Sequence, residues 1–369
     1  MKILVTGSEG FIGKNLVAEL KNHCEHEVFK FDRNTEQSLL DSFCRDAEFV
    51  FHLAGVNRPN NETEFMEGNC GFTSLLLSKL KEHKNNCTIM ISSSIQAENQ
   101  SPYGISKKAG EDLVFKYGKE TGSSVLVYRF PNVYGKWSKP NYNSAVATFC
   151  HNIANGFEIK VNNPLTNMKL VYIDDVIKEM LSALDGNENR EGNYCEVSNV
   201  SEIELGEIAK LIYSFKESRE SLMIPNLENS FDKKLYSTYL SYLPVNDLSY
   251  SLKMHTDLRG SFTEFLKTSS SGQVSVNLSK PGVVKGNHWH HSKVEKFLVI
   301  SGKGVIRLRG VNSDLVTEYF VNDNKFEVVE IPAGYTHNIE NLGTTNMVTI
   351  MWVNEVYDPE NPDTYFLEV

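Results

Sequence analysis

Apolar residues in the first two thirds of the chain follow two alternating patterns. Short runs rich in β-branched and aromatic residues predict strands at 2–6, 26–31, 49–53, 88–92 and 125–129. Between them, apolar positions recur at helical spacing in 13–20, 73–81 and 106–117. Strands that alternate with helices are typical of βαβ units. The pattern therefore predicts an α/β domain built on a doubly wound parallel sheet.

The pattern changes from about Ser261 onward. Glycine-containing turns separate β-rich runs at 273–278, 296–300, 304–309, 326–331 and 347–353, and no long helical pattern interrupts them. Many short strands without helices predict an all-β barrel. The boundary is predicted near 245–255, which divides the chain into domains at 1–245 and 252–369.

Composition and charge exclude several classes of partner. Of the 369 residues, 40% are hydrophobic and 23% charged, and the formal net charge is −10. Nucleic acids and anionic membranes select basic surfaces, so neither is an expected partner. No basic, apolar leader precedes the first strand, and no apolar run approaches the roughly 18 residues of a membrane helix. A cytoplasmic enzyme with reduced thiols is therefore expected, because the cysteines lack CxxC spacing: Cys24, Cys44, Cys70, Cys87, Cys150 and Cys195.

Glycines follow the first predicted strand at Gly7, Gly10 and Gly13, and the first predicted helix comes directly after them. Glycine lets the backbone approach a pyrophosphate, and the helix N-terminus supplies N–H groups and the positive end of a dipole. The strand–turn–helix context makes a dinucleotide site the preferred interpretation over a plain glycine turn.

The second predicted strand ends at Asp32 and Arg33, which favour different cofactors. An acidic residue at this position accepts the adenosine ribose 2′-hydroxyl of NAD, whereas an arginine can hold the 2′-phosphate of NADP. We favour NADP because the guanidinium can make a bidentate phosphate contact. NAD stays the alternative, with Arg33 as a solvated loop residue.

Tyr103 and Lys107 are four residues apart, so on a helix they share one face. A nearby ammonium is expected to lower the phenol pKa from about 10 and to make the phenol a usable proton donor to a carbonyl. The serines at 92–94 lie at the end of a predicted strand, where a hydroxyl could bind the same carbonyl oxygen. This set of residues predicts a reductase.

These motifs together resemble the extended short-chain dehydrogenase/reductases, a family of Rossmann-like epimerases, dehydratases and reductases of sugar nucleotides. The resemblance covers about residues 1–245. It is carried by 6–13, 52–55, 92–94, Tyr103, Lys107, 129–135 and 171–176.

The resemblance implies a role for each matching position. Tyr103 is the implied acid, assisted by Lys107, with Ser94 on the substrate oxygen and Asn132 near the substrate. Only eight residues separate Ser94 from Tyr103, fewer than is common in the family, so the choice among the three serines stays open. NADP(H), or NAD, would be bound by Gly7, Gly10, Phe11, Ile12, Gly13, Asp32, Arg33, Leu53, Ala54, Tyr103 and Lys107.

Histidines concentrate in the β-rich block. His288 and His290 are two apart, so on a strand their side chains face the same side. A carboxylate and a later histidine on a neighbouring strand could complete a site for a first-row metal. The spacing is Gly282-x5-His288-x-His290-x4-Glu295-x6-Gly302, followed by Pro332-x-Gly334-x2-His337-x3-Asn341.

Both spacings resemble the two conserved motifs of the cupin superfamily. The resemblance implies a jelly-roll barrel and, by position, the metal-ligand set His288, His290, Glu295 and His337. Zinc is the first candidate ion. Some cupins that epimerise deoxysugar nucleotides work without metal, so one histidine, His288 or His290, could instead be the base.

A cupin behind an extended reductase resembles the CapF-type enzymes of capsular polysaccharide and O-antigen synthesis, over essentially the whole chain. The resemblance implies a bifunctional enzyme for the UDP-N-acetyl-L-fucosamine precursor. A homodimer is expected because barrels of this type often pair through exposed strands. The cupin would epimerise C3 of a UDP-linked 2-acetamido-2,6-dideoxy-4-keto-hexose, and the reductase would then reduce C4 with NADPH. Epimerisation must come first, because a C3 proton is acidic only while C4 is a carbonyl that can hold enolate charge.

Three alternatives stay open. The chain could be a sugar-nucleotide dehydratase or C4 epimerase with a structural cupin, in which the cofactor is recycled rather than consumed. The barrel could be a dimerisation or sugar-sensing module without chemistry. A regulatory NAD(P) sensor is the weakest alternative, because it gives Tyr103 and Lys107 no task.

Overall fold

A computed structural model describes residues 1–22 and 25–369. The described chain forms two compact units, each with its own core. The N-terminal unit comprises 1–213 and 233–244, and the C-terminal unit comprises 214–232 and 245–369.

The N-terminal unit is built on a seven-stranded sheet in the order β2-β1-β3-β4-β5-β9-β8, in which every pairing except β8–β9 is parallel. Three further strands, β10-β7-β6, form a small sheet. The strands are β1 (Lys2–Thr6), β2 (Glu27–Phe31), β3 (Phe49–His52), β4 (Thr88–Ser94), β5 (Val125–Phe130), β6 (Asn132–Tyr134), β7 (Asn167–Tyr172), β8 (Arg190–Glu191), β9 (Tyr194–Cys195) and β10 (Ser201–Glu204).

Helices cover both faces of the large sheet, which is why its strands read as continuous apolar runs. Side chains from α1 and α7 pack in one core cluster with the sheet, and side chains from α2, α4 and α5 pack in the other. The helices are α1 (Phe11–Asn22), α2 (Ser38–Asp46), α3 (Thr63–Phe65), α4 (Phe72–Glu82), α5 (Pro102–Thr121), α6 (Ala145–Ala154), α7 (Ile173–Leu184), α8 (Leu205–Ser221) and α9 (Ser230–Leu240).

The strand order of the parallel sheet reverses at β1, because β2 lies on one side of it and β3 on the other. In open α/β sheets, ligands bind in the crevice at the carboxyl ends of the strands where the order reverses. The loops after β1 and β3 are those that carry Gly7 and Ala54. The fold therefore places the glycine motif where a cofactor crevice is expected.

The C-terminal unit contains two antiparallel sheets, β11-β12-β13-β20-β15-β18 and β17-β16-β19-β14-β21. Apolar side chains from both sheets form one core between them. The strands are β11 (Met254–Asp257), β12 (Gly260–Thr268), β13 (Gly272–Ser279), β14 (Val284–Trp289), β15 (Glu295–Ser301), β16 (Lys303–Gly310), β17 (Val316–Asn322), β18 (Val328–Ile331), β19 (Tyr335–Asn341), β20 (Met347–Val353) and β21 (Tyr365–Phe366).

The predicted fold class is confirmed, with a doubly wound parallel sheet followed by an all-β, cupin-like unit. The division at 1–245 and 252–369 stays a prediction, and the described contacts differ from it in one respect. Residues 214–232 group with the C-terminal unit, where Met223 forms a β-bridge with Lys267 of β12. The residues before Met223 form helix α8, Leu205–Ser221, so the sequence there gives no indication that Met223 pairs with a strand.

Among the described residues, no helix is both long and apolar enough to span a bilayer. The five described cysteines are free thiols, as predicted, and Cys24 lies outside the described residues.

Candidate active sites

A cleft of about 910 Å³ in the N-terminal unit lies at the carboxyl ends of the parallel strands. Every residue that the sequence assigns to the cofactor or to the reduced carbonyl lines this cleft. These residues are Gly7, Gly10, Phe11, Ile12, Gly13, Asp32, Arg33, Leu53, Ala54, Ser94, Tyr103, Lys107 and Asn132.

The glycine loop is closed too tightly for side chains. Gly7 has φ +70°, and a Cβ at this position would lie 2.7 Å from the Ala54 nitrogen. A Cβ on Gly13 would lie 2.1 Å from the Gly7 carbonyl oxygen. The loop therefore needs glycine, and it leaves backbone at the cleft surface for a close approach by phosphate.

Asp32 and Arg33 have different surroundings at the end of β2. The Asp32 carboxylate accepts the backbone N–H groups of Glu9, at 2.7 Å, and of Arg33, at 2.9 Å. It thus ties the glycine loop to β2. Arg33 is exposed, and its guanidinium makes no hydrogen bond or ion pair among the contacts described for the chain. The arginine is therefore free to bind an anionic group in the cleft.

Tyr103, Ser94 and Lys107 meet in the middle of the cleft. The Ser94 hydroxyl is close enough to the Tyr103 phenol to affect its pKa, and the Lys107 ammonium lies 5.9 Å from the centre of the Tyr103 ring. Ser92 and Ser93 have other partners: the Ser92 hydroxyl donates to the His52 carbonyl at 3.4 Å, and the Ser93 hydroxyl donates to Glu111 at 2.6 Å. Of the three serines, Ser94 is thus the one placed beside the phenol.

The expectation that Lys107 lowers the pKa of Tyr103 is wrong for this structure. Burial raises the pKa of the phenol above its usual value, and the hydrogen bond with Ser94 opposes this only in part. The Lys107 ammonium points to the Ser92 carbonyl, and its own burial lowers its pKa to about 8. The phenol is therefore held protonated, which is the form a proton donor needs.

A buried ion pair between Glu111 and Arg129 supports α5, the helix that carries Tyr103 and Lys107, and it was not predicted from the sequence. Glu111 of α5 is fully buried, and both of its oxygens accept from Arg129 of β5, at 2.8 and 2.7 Å. One of the same oxygens also accepts from Ser93. The pair anchors α5, and hence Tyr103 and Lys107, to β4 and β5. Its only sequence signal is the spacing of Glu111, one helical turn after Lys107.

Asn69 is a second residue that the sequence did not reveal. It is buried in a π-helical turn, Met66–Gly71. Its side-chain oxygen accepts from the Val56 N–H at 2.8 Å, and its side-chain nitrogen donates to the Val56 carbonyl at 3.1 Å. It also donates to the Ser106 hydroxyl, at 2.9 Å. Asn69 therefore fixes the loop after β3 against α5, and nothing in its sequence context marks it.

The far end of the cleft lies beyond β6. Asn132 is exposed there, and its amide donates to the Lys169 carbonyl at 3.2 Å. Trp137, with φ +69° and 55% of its surface exposed, lines the same end together with Lys139. An exposed indole and a cation that line one cleft offer a stacking surface and a charge to a nucleotide-linked substrate.

The predicted ligand set of the C-terminal unit converges. One donor atom from each of His288, His290, Glu295 and His337 lies within 4.8 Å of the other three. Glu295 Oε2 is 2.9 Å from His337 Nε2 and 3.6 Å from His290 Nε2. The rings of His288 and His337 are 4.5 Å apart. Glu295 is on β15 of one sheet and the histidines are on or next to β14 and β19 of the other, so the cluster lies between the two sheets.

A β-bulge in β14 aims its histidine at the cluster. Gly286 (φ +108°) pairs with Asn338, and His288 pairs with His337, so Asn287 (φ +59°) is the extra residue. A Cβ on Gly286 would lie 2.7 Å from the His337 carbonyl oxygen, which explains the glycine. The bulge shifts the alternation of the strand by one residue and turns His288 to the side of His337.

The donor set fits a divalent first-row metal ion. Within the described part of the chain, His290 Nε2 and His337 Nδ1 are buried without a hydrogen-bond partner, which is costly unless something binds them. Burial and the neighbouring histidines lower the pKa of His288 to about 4. Burial opposes ionisation of Glu295, but the neighbouring His290 and His337 outweigh it and lower the pKa of the carboxyl to about 2. Imidazole nitrogens together with a carboxylate oxygen are donors that zinc binds in proteins.

Comparisons with known proteins match both parts of the chain. A family model described as the NAD dependent epimerase/dehydratase family matches residues 3–198, and a polysaccharide biosynthesis C-terminal domain matches 255–365. The chain is 44% identical to UDP-2-acetamido-2,6-beta-L-arabino-hexul-4-ose reductase of Pseudomonas aeruginosa, over 100% of this chain and 99% of that protein.

Two solved structures cover the whole chain as well. The capsular polysaccharide assembling protein CapF of Staphylococcus aureus is 54% identical, with a TM-score of 0.95 and 100% of both chains covered. A structure of CapF with the inhibitor 3-isopropenyl-tropolone is 50% identical, with a TM-score of 0.91 and the same coverage. The predicted resemblance is thereby confirmed, and the chain belongs to the NAD dependent epimerase/dehydratase family.

Proposed function

We propose that the chain is a bifunctional enzyme that epimerises C3 and then reduces C4 of a UDP-linked 2-acetamido-2,6-dideoxy-4-keto-hexose, in the synthesis of a capsular polysaccharide precursor. The observation that carries the proposal is that one chain holds both a Tyr103–Ser94–Lys107 cleft and a converged His288, His290, Glu295 and His337 cluster. The name of the relative in Pseudomonas aeruginosa, UDP-2-acetamido-2,6-beta-L-arabino-hexul-4-ose reductase, supports this class of substrate.

The order of the two steps follows from the substrate. A base can remove the C3 proton only while the adjacent C4 carbonyl can take up the electron pair as an enolate. Return of a proton to the opposite face of C3 gives the epimer. Reduction of C4 then removes the carbonyl, and with it the acidity of C3, so the reduced product keeps its configuration.

In the reduction, residues of the cleft bind and protonate the carbonyl oxygen. NADPH, when bound, supplies the hydride for C4. Tyr103 donates its proton to the oxygen as negative charge develops there, and the Ser94 hydroxyl holds the same oxygen in place. Lys107 lies beside the phenol and adds positive charge to the cleft. The glycine loop orients the cofactor through its exposed backbone.

In the epimerisation, the cluster of the C-terminal unit moves the C3 proton. His288, His290, Glu295 and His337 are the residues that would hold a zinc ion, and the ion, when bound, supplies a positive charge that stabilises the enolate oxygen. A histidine of the cluster that is not engaged by metal acts as the base. The tropolone inhibitor of CapF supports a metal, because tropolones carry a hydroxyl beside a carbonyl and chelate divalent ions.

Cofactor stoichiometry tests the proposal against its main competitor. We expect one NADPH to be oxidised for each 4-keto sugar nucleotide converted, measured by absorbance of NADPH against product by mass spectrometry. A dehydratase or a C4 epimerase returns its cofactor to the starting state, so conversion without net oxidation would contradict the proposal and support that alternative.

Arg33 provides a test of the cofactor preference. If its free guanidinium binds the 2′-phosphate, Arg33→Ala should weaken NADPH binding by about 10–100-fold, the range for a charged hydrogen bond of roughly 1.5–3 kcal/mol. NADH binding should change little. Fluorescence titration with both cofactors measures this, with Arg45→Ala as the control because Arg45 pairs with Asp46 on α2. Equal weakening of both cofactors would favour NAD.

The finer predictions on assembly and location belong to the same proposal. A homodimer is supported by β17, which is the end strand of its sheet and exposes Phe320 over 65% of its surface. Sedimentation analysis at micromolar concentration should give twice the mass of the chain, and a monomer would contradict it. A cytoplasmic location stays a prediction.

A further inference from the structure

Asp363 organises the loop that carries His290. Its carboxylate accepts the backbone N–H groups of His291, Ser292 and Lys293, at 2.9, 2.9 and 3.2 Å. It also accepts the Ser292 hydroxyl at 3.0 Å. Four hydrogen bonds to one carboxylate fix the loop between β14 and β15, which connects His290 to Glu295.

The backbone of Asp363 makes a second, separate contact with the cluster. The Asp363 carbonyl oxygen lies 2.5 Å from His290 Nδ1. A carbonyl can only accept, so Nδ1 must be the nitrogen that carries the proton. The proton is then absent from Nε2 of a neutral ring, and Nε2 is the buried atom that faces Glu295 at 3.6 Å. The contact therefore selects the tautomer in which Nε2 can bind a metal ion.

The segment that carries Asp363 is itself anchored to the barrel on both sides. Before it, the Pro362 carbonyl accepts from the ammonium of Lys293, a lysine with only 4% of its surface exposed. After it, β21 pairs with β14 at His288 and Trp289. Asp363 is thus held at a fixed distance from the cluster rather than on a free loop.

We propose that Asp363 is a positioning residue for metal binding: it locks the loop after β14 and presents His290 with Nε2 free for a divalent ion. The Asp363 carbonyl sets the tautomer of His290. The Asp363 carboxylate holds the loop after β14, and this keeps His290 Nδ1 within hydrogen-bonding distance of the carbonyl. The proposal rests on the metal-dependent half of the function proposed above.

Glycine is the substitution that isolates the carboxylate. Asp363 has φ +38°, a conformation that glycine adopts without strain but alanine does not. Asp363→Gly should lower the affinity for Zn²⁺ by about 10–100-fold, the effect of losing a partner that orients a ligand. Asp363→Asn keeps one acceptor oxygen, so its Zn²⁺ affinity should lie between that of Asp363→Gly and that of the unmodified chain.

The matched control lies in the same segment. Asp358 also caps backbone with its carboxylate, accepting the Glu360 N–H at 2.9 Å, but its described hydrogen bonds do not reach the 290–293 loop, with which it interacts only through the charge of Lys293. Asp358→Gly should therefore bind Zn²⁺ as the unmodified chain does. Ser292→Ala removes only the hydroxyl contact with Asp363, so it provides a milder variant with a smaller expected loss if Asp363→Gly folds poorly.

The measurement is Zn²⁺ affinity after removal of metal, by competition with a chromophoric chelator, together with the visible spectrum of the Co²⁺ form. We expect weaker Zn²⁺ binding and an altered Co²⁺ spectrum in Asp363→Gly, and neither in Asp358→Gly. Unchanged affinity and spectrum in Asp363→Gly would overturn the proposal and leave the proposed function intact. Equal losses in both variants would also overturn it. Absence of metal binding in the unmodified chain would overturn it together with the metal-dependent epimerisation, whereas NADPH oxidation tests the reductase half independently.

Discussion

Replacement of Tyr103 by phenylalanine is expected to slow NADPH oxidation by about 10²–10⁴-fold, the range for loss of a positioned general acid. The phenol lines the cleft beside Ser94 and is held protonated by burial, so we expect its hydroxyl to donate the proton to the C4 oxygen. Phenylalanine keeps the ring and removes only the donor. Exchange of the C3 proton should continue at its usual rate, since the cluster that performs it is in the other unit.

Steady-state NADPH oxidation and deuterium incorporation at C3 from deuterated water measure the two effects in one sample. Tyr117→Phe is the control, because Tyr117 is on the same helix and its hydroxyl donates to the Asn85 carbonyl, outside the cleft. Loss of both activities in Tyr103→Phe, with Tyr117→Phe unaffected, would show that the two steps share one site.

Replacement of His290 by alanine is expected to abolish exchange of the C3 proton and to leave NADPH binding intact. It removes one of four converged donors, so Zn²⁺ affinity should fall by more than the 10–100-fold expected for a partner outside the ligand set. Deuterium incorporation at C3 should fall to background. The variant should still bind NADPH as the unmodified chain does, because the glycine loop and Tyr103 belong to the other unit.

His291→Ala is the matched control for this variant. His291 is the next residue and is exposed, and its ring makes edge-to-face contacts with Trp289 and Tyr365, at 4.4 and 4.9 Å between ring centres. Elemental analysis for metal and mass spectrometry for C3 deuterium compare the two variants. Deuteration that persists in His290→Ala would remove the C-terminal unit from the chemistry and favour a structural or dimerising barrel.

The alternation of apolar runs was sufficient to predict the parallel sheet, because buried parallel strands have a continuous apolar signal. The strands that carry the histidines gave no such signal. β14 includes Lys285 and Asn287, and its bulge at Gly286 breaks the two-residue period, so only the histidine spacing indicated it. A functional strand is identified here by its chemistry rather than by its hydrophobicity.

The residues that support the two sites were missed for a related reason. Glu111, Asn69 and Asp363 act through partners that are distant in sequence, at Arg129, Val56 and 290–293 respectively. A lone Glu, Asn or Asp on a helix or loop has no local pattern that separates it from a solvated residue. The pKa of Tyr103 was misjudged because sequence spacing places Lys107 near the phenol but does not show that the phenol is buried, which raises its pKa.

Whether epimerisation precedes reduction is tested by the isotopic composition of the sugar after incubation of the 4-keto substrate in deuterated water, with and without NADPH. We expect one solvent deuterium at C3 in both reactions, with reduction at C4 only when NADPH is present. A reduced product that retains the original hydrogen at C3 would contradict this order, because reduction would then have occurred on a sugar whose C3 proton had never been removed.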